Sequence, residues 1–173
     1  STAHTVRKRF LEQSEAVSSI GRVSRDGQLP LSFAQQRLWF LDQLIPNNSF
    51  YNIPGALRLR GQLNRDALQQ SLDELVARHE SLRTSFVEKD ETIIQIIAEP
   101  RSVEMPLVDL SHHTVEAREG EANKSAAEEA LIPFDLSQGP LLRAQLLCLD
   151  QQDHVLLLTM HHIISDGWSI GVF

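Results

Sequence analysis

Hydrophobic and polar positions change period several times along this chain, and each change marks an element. Apolar residues at Phe33, Leu38, Phe40-Leu41 and Leu44 recur at helical spacing. Ser32 ahead of them is an N-cap by type, and Pro46-Asn47-Asn48-Ser49 supplies the stop. Residues 53–63 alternate, with Leu57, Leu59 and Gly61 opposed to Ala56, Arg58 and Arg60, which predicts a strand. Asn64 then opens a helix over residues 65–78 with Leu68, Leu72, Leu75 and Val76 on one face. Residues 82–88 and 92–98 predict a hairpin joined at Lys89-Asp90-Glu91. A further strand is predicted at 103–108, and an alanine-rich helix with a solvated charged face at 114–131. A loop at 133–140 leads into two apolar runs, 141–149 and 154–160, an antiparallel pair joined at 150–153.

Helices and hairpins mixed in this way predict an α+β fold, a two-layer sandwich of helices on a mostly antiparallel sheet. Residues 1–28 stand apart. They open on a helical pattern at 6–17, turn polar through Ser18, Ser19, Gly21, Ser24 and Gly27, and read as a linker or tail before a domain at 29–173. No internal repeat is visible.

Composition narrows the function classes. The chain has 173 residues, 42% hydrophobic and 23% charged, enough for one domain with a real core. A net charge of −7 argues against nucleic acid as a partner. No apolar run is long enough for a bilayer, and Arg7-Lys8-Arg9 is not followed by the apolar stretch of a secretory signal, so neither membrane nor export is expected. Cys148 is the single cysteine, which excludes an intrachain disulfide and fits a cytoplasmic setting. It lies within an apolar run and reads as packing rather than as a nucleophile.

The candidate chemistry sits near the C-terminus, at His161-His162-Ile163-Ile164-Ser165-Asp166-Gly167. The histidines end an apolar strand, a rigid platform, and the Asp-Gly turn beyond gives a ligand room to approach. Imidazole exchanges protons near neutrality. Adjacent strand residues point to opposite faces, so only one histidine can face a given site. Two structural histidines closing a strand would give the same pattern. Asp166 can orient His162 if the turn brings them together. A metal site is a poor alternative: His112-His113 and His161-His162 are adjacent pairs, and no Cys or Glu stands at ligand spacing. No phosphate-binding glycine loop and no Gly-x-Ser-x-Gly elbow occurs.

Three segments together resemble the condensation domains of nonribosomal peptide synthetases, within the chloramphenicol acetyltransferase-like superfamily. Ser32-Phe33-Ala34-Gln35-Gln36-Arg37-Leu38-Trp39-Phe40-Leu41 is similar to the first core motif, Arg78-His79-Glu80-Ser81-Leu82-Arg83-Thr84-Ser85-Phe86 to the second, and residues 160–169, with the HHxxxDG signature, to the third. The resemblance runs from about residue 29 and implies the N-terminal lobe of a two-lobed domain whose C-terminal lobe is absent. It implies an acyltransferase forming a peptide bond between a donor thioester and an aminoacyl acceptor in secondary-metabolite biosynthesis. Both substrates would ride on phosphopantetheine arms of upstream and downstream peptidyl carrier proteins, beside an adenylation domain, with no cofactor or metal held by the domain itself. His162 would be the catalytic residue facing the channel. His161 would be structural, and Asp166 would pair with Arg83 to lock the loop. Gly167 would leave room for the arm, with a helix starting at 167–173. Tyr51-Asn52-Ile53-Pro54 would line the donor side, while Gln35, Arg37 and Trp39 would pack the first helix. The form of the first motif resembles the class taking an L-configured donor. Two alternatives are a catalytically silent folding or docking module, and another HHxxxDG acyltransferase or an epimerisation domain.

Overall fold

The computed structural model of the protein describes residues 24, 25 and 27–172, so the helical pattern at 6–17 lies outside the described residues. Strand β1 is a short piece, Leu29–Pro30, followed by helix α1, Phe33–Leu44. Then come β2 (Asn52–Arg60), α2 (Arg65–Arg78), a 3-10 turn at Glu80–Arg83, and the strands β3 (Thr84–Lys89) and β4 (Thr92–Ile97). Strand β5 (Leu107–Asp109), helix α3 (Val115–Leu131), β6 (Leu142–Asp150) and β7 (Asp153–His161) complete the order, with a last 3-10 turn at Ser169–Val172.

Local sequence accounts for most of these boundaries. Ser32 caps α1 through a capping box: its hydroxyl accepts the Gln35 N–H while the Gln35 side chain accepts the Ser32 N–H. Asn64 and Thr114 cap α2 and α3 in the simpler way, each accepting the N–H three residues on. The β3–β4 hairpin turns through Asp90 and Glu91, both at positive φ, the two-residue geometry that matches strand twist.

The α+β class is as expected, and the layering is richer than one sheet. Strands β1, β4 and β3 form a small antiparallel sheet. Strands β2, β7, β6 and β5 form a larger one in that order, antiparallel except for the β5–β6 pair. Helices cover the larger sheet on both faces, because its two inner strands are apolar on both. On one face Leu68 and Leu72 of α2 pack with Ala144, Leu146 and Leu156. On the other, Ala122 and Ala126 of α3 pack with Leu147, Leu149 and Leu157. The third and largest cluster joins the two sheets, with Phe86, Leu136, Leu141, Leu142, Met160, Ile163 and Ile164 at its centre. The strand expected at 103–108 forms later and shorter as β5, since Met105 is drawn into the core and Asp73 of α2 receives the Val103 N–H.

Helix α1 departs from its pattern. Three of the apolar residues that set its period, Phe33, Phe40 and Leu44, point outward, at 91%, 60% and 63% exposure. Leu38, from the same pattern, packs against the core together with Trp39. A helix apolar on two faces gives two periodic readings, and only the tertiary partner selects between them.

Candidate active site

Strand β7 is an inner strand, paired with β2 and β6, and it carries the histidines to its end. Opposite neighbours hold their two backbone amides. The His161 N–H donates to the Leu141 carbonyl at 3.0 Å, and the His162 N–H donates to the Tyr51 carbonyl at 2.8 Å. Their side chains part as adjacent strand residues must. His161 is buried, at 2% exposure, and His162 is exposed.

His161 is packed into the fold. Its Nδ1 accepts the Ile163 N–H at 3.2 Å, so that nitrogen carries no proton. The rings of Tyr51 and Phe134 meet it edge-on, at centroid distances of 6.3 and 6.2 Å. Phe134 is itself held by the Arg143 guanidinium, 3.8 Å over its ring. Burial, followed by the neighbouring His162, pushes the His161 pKa down to about 4. The unfolded chain therefore binds a proton here that the native state refuses. Stability is full above pH 6.5 and falls as pH drops towards 4, by roughly 3 kcal/mol at about 1.4 kcal/mol per pH unit. Asp73, Asp109, Asp153 and Asp166 have pKa values held below the usual 3.8, so their contribution is lost mainly as pH falls through and below that value, at the foot of the His161 window. Urea midpoints at pH 7 and pH 4.5 should show the drop, and His161→Asn, which keeps an acceptor for the Ile163 N–H, should flatten it. Equal slopes for the two proteins would remove His161 as the cause.

Beyond the histidines the chain turns back on itself, with the Ile164 N–H donating to the His161 carbonyl. Ile163, Ile164 and Ser165 are buried, and Asp166, Gly167 and Trp168 are exposed. The expected pair between Asp166 and Arg83 does not form. The Asp166 carboxylate accepts the N–H and hydroxyl of Ser169 at 2.8 Å each, and the Asp166 N–H donates to the Ser169 Oγ at 2.7 Å. These bonds hold the aspartate's pKa down. Arg83 donates to the Ala98 carbonyl, and its nearest carboxylate is Glu80, at 4.0 Å. The physical reason is local competition: a short side chain opening a turn is satisfied within its own turn before it can reach a second motif. Nor does a hydrogen bond join Asp166 to His162, so no dyad forms. Asp166→Ala should therefore lower the melting temperature only as losing a turn cap does, without the collapse in soluble yield expected on breaking a buried ion pair. Insoluble protein would contradict this.

The helix expected at 167–173 is a 3-10 turn at Ser169–Val172. Gly167 does not occupy the left-handed region, and a Cβ built there meets nothing within 4 Å. The fold itself thus places no demand for glycine at this position. Cys148 is half-buried, and burial pushes its thiol pKa up, away from nucleophile chemistry. Among the described residues, no three His, Cys, Asp or Glu side chains gather as a metal site, and no helix is long and apolar enough to cross a membrane.

Two residues around the histidines exceed what their sequence context announced. Tyr51 holds both, by its carbonyl and its ring edge, and strand pairing between residues so far apart leaves no local signal. Gln35 reaches the loop as well: its Nε2 donates to the Ile163 carbonyl at 3.4 Å. The Ser-x-x-Gln box was the available clue, but it speaks only of the helix cap.

A family profile described as Condensation domain matches residues 25–173. The chain belongs to the condensation-domain family. A linear gramicidin synthase polypeptide of Brevibacillus parabrevis is 50% identical to it over 159 residues, 92% of this chain and 2% of that protein. Malpibaldin synthetase of Mortierella alpina is 46% identical across 99% of this chain and 3% of that protein. Among solved structures, the first condensation domain of the CDA synthetase superposes with a TM-score of 0.77 at 26% identity. The match covers 85% of this chain and 38% of that one. The X-domain from teicoplanin biosynthesis gives 0.77 at 31% identity, over 89% of this chain and 32% of that one. This condensation-domain chain thus spans a few per cent of its curated relatives and about a third of the solved chains, with the α+β fold of the N-terminal lobe.

Proposed function

We propose that residues 29–173 form the N-terminal lobe of an amide-forming condensation domain, with 1–28 leading into it as a linker, and that His162 serves the reaction. The observation that carries this reading is the division of labour in the pair. His161 is buried, neutral and committed to the Ile163 N–H, whereas His162 projects an exposed imidazole from a strand end anchored on both sides.

The parent protein would join an upstream acyl thioester to a downstream aminoacyl amine. The amine nitrogen attacks the thioester carbonyl, a C–N bond forms, the C–S bond breaks, and the nitrogen loses a proton as the carrier thiol leaves. An imidazole at His162 can accept that proton or hold the amine by a hydrogen bond, and both roles need an accessible ring nitrogen. Gly167 supports the same reading: the fold does not require a glycine there, so the bare backbone serves whatever approaches it. A phosphopantetheine arm has that shape. The parent would thus engage two peptidyl carrier proteins, an adenylation domain and a C-terminal lobe in the cytoplasm, with no cofactor of its own and no role for nucleic acid or membrane. The first motif favours an L-configured donor.

The test is transfer between loaded carriers. A complete condensation domain bearing this sequence should convert an L-aminoacyl donor carrier and an aminoacyl acceptor carrier into a dipeptidyl acceptor carrier, seen by intact-mass spectrometry. Hydrolysis or epimerisation of the donor without any dipeptide would overturn the reading.

A further inference from the structure

Resting on the reading that His162 serves the reaction, we propose that Gln35 is a positioning residue: its side-chain amide ties helix α1 to the loop that carries His162. Gln35 lies far from the histidines in sequence, and its amide faces two ways. Its Oε1 accepts the Ser32 N–H at 2.9 Å, and its Nε2 donates to the Ile163 carbonyl at 3.4 Å. A backbone donor on one side and a backbone acceptor on the other fix which end of the amide is which. Ile163 directly follows His162, so this carbonyl lies one residue beyond the exposed imidazole.

The contact is part of a chain of amides. Gln35 Nε2 also lies 3.5 Å from Gln95 Oε1, and Gln95 Nε2 donates to the Pro30 carbonyl at 2.8 Å. Gln95 is on β4 and pairs with Leu29 of β1, so the small sheet, α1 and the histidine loop on the large sheet meet at these two glutamines. His162 itself has one backbone anchor, the carbonyl of Tyr51, the residue just before β2 of the large sheet. Gln35 adds a polar tie from α1 to a loop whose Ile163 and Ile164 side chains pack in the cluster between the sheets.

Helix capping does not explain the glutamine. Glutamate completes a capping box equally well, and a negative charge in the first turn favours the helix dipole. The contacts with the Ile163 carbonyl and with Gln95 Oε1, both outside the cap, are the ones that need an N–H donor. The substitution Gln35→Glu therefore separates the two roles: it keeps the acceptor for the Ser32 N–H and sets a second oxygen against the Ile163 carbonyl. Gln35→Ala removes both contacts and serves as the reference for a lost cap.

The experiment has two readouts. In the 173-residue chain, the Gln35→Glu variant should melt within a few degrees of the wild type, while NMR shows shifted signals for the Ile163 carbonyl and the His162 ring. In the complete condensation domain, it should lower kcat for dipeptide formation at least tenfold, with KM for the acceptor carrier within twofold. Unshifted signals, or a kcat within twofold of wild type, would overturn the positioning role. If the wild-type domain forms no dipeptide, the proposed function fails, and the NMR signals alone decide whether Gln35 positions the loop.

Discussion

His162→Ala in the complete condensation domain should lower dipeptide formation by at least about 100-fold, the lower end of what a positioned acid or base contributes, and should leave the melting temperature unchanged. The second half of this expectation is what makes it specific. The His162 side chain is exposed, and the bond that anchors the residue is its backbone N–H to the Tyr51 carbonyl, which alanine keeps. His161→Ala gives the opposite pattern. It empties a buried site between the rings of Tyr51 and Phe134 and leaves the Ile163 N–H without its acceptor, so stability falls first. Dipeptide yield by intact-mass spectrometry and thermal unfolding of both variants check the pair. Near-wild-type condensation by His162→Ala across several substrate pairs would remove the residue from the chemistry.

The chain on its own should form no dipeptide. It spans 38% of the length of the solved condensation domain from the CDA synthetase, and an exposed imidazole on one lobe cannot hold a donor and an acceptor together. Orientation accounts for about 7–11 kcal/mol of a bimolecular barrier, so one lobe without the other should fall below detection. It should also self-associate. Phe33, Phe40 and Leu44 share the outward face of α1, and Trp168 beside the histidine loop is 90% exposed, apolar surface open to a second copy. Dipeptide above a no-enzyme control would overturn the first expectation, and a strictly monomeric species in sedimentation at high concentration would overturn the second.

Much of this was determined by the sequence. Caps at Ser32, Asn64 and Thr114 are local hydrogen bonds, and they set three helix starts within a residue of where the pattern put them. The β6–β7 pair and the opposite faces of His161 and His162 follow from the period of a strand. The three motifs carried the family, which the match over residues 25–173 bears out. What the tertiary structure alone decided depends on partners distant in sequence. Which of two apolar faces of α1 packs on the core depended on where the core lay. Arg83 and Asp166 carry charges that suit each other, but each bonds nearer by, Arg83 to the Ala98 carbonyl and Asp166 to Ser169. The hold of Tyr51 and Gln35 on the histidine loop arises only when β2 and α1 are brought against β7 and its loop, because a hydrogen bond between residues far apart in sequence is specified by packing and leaves no period to read.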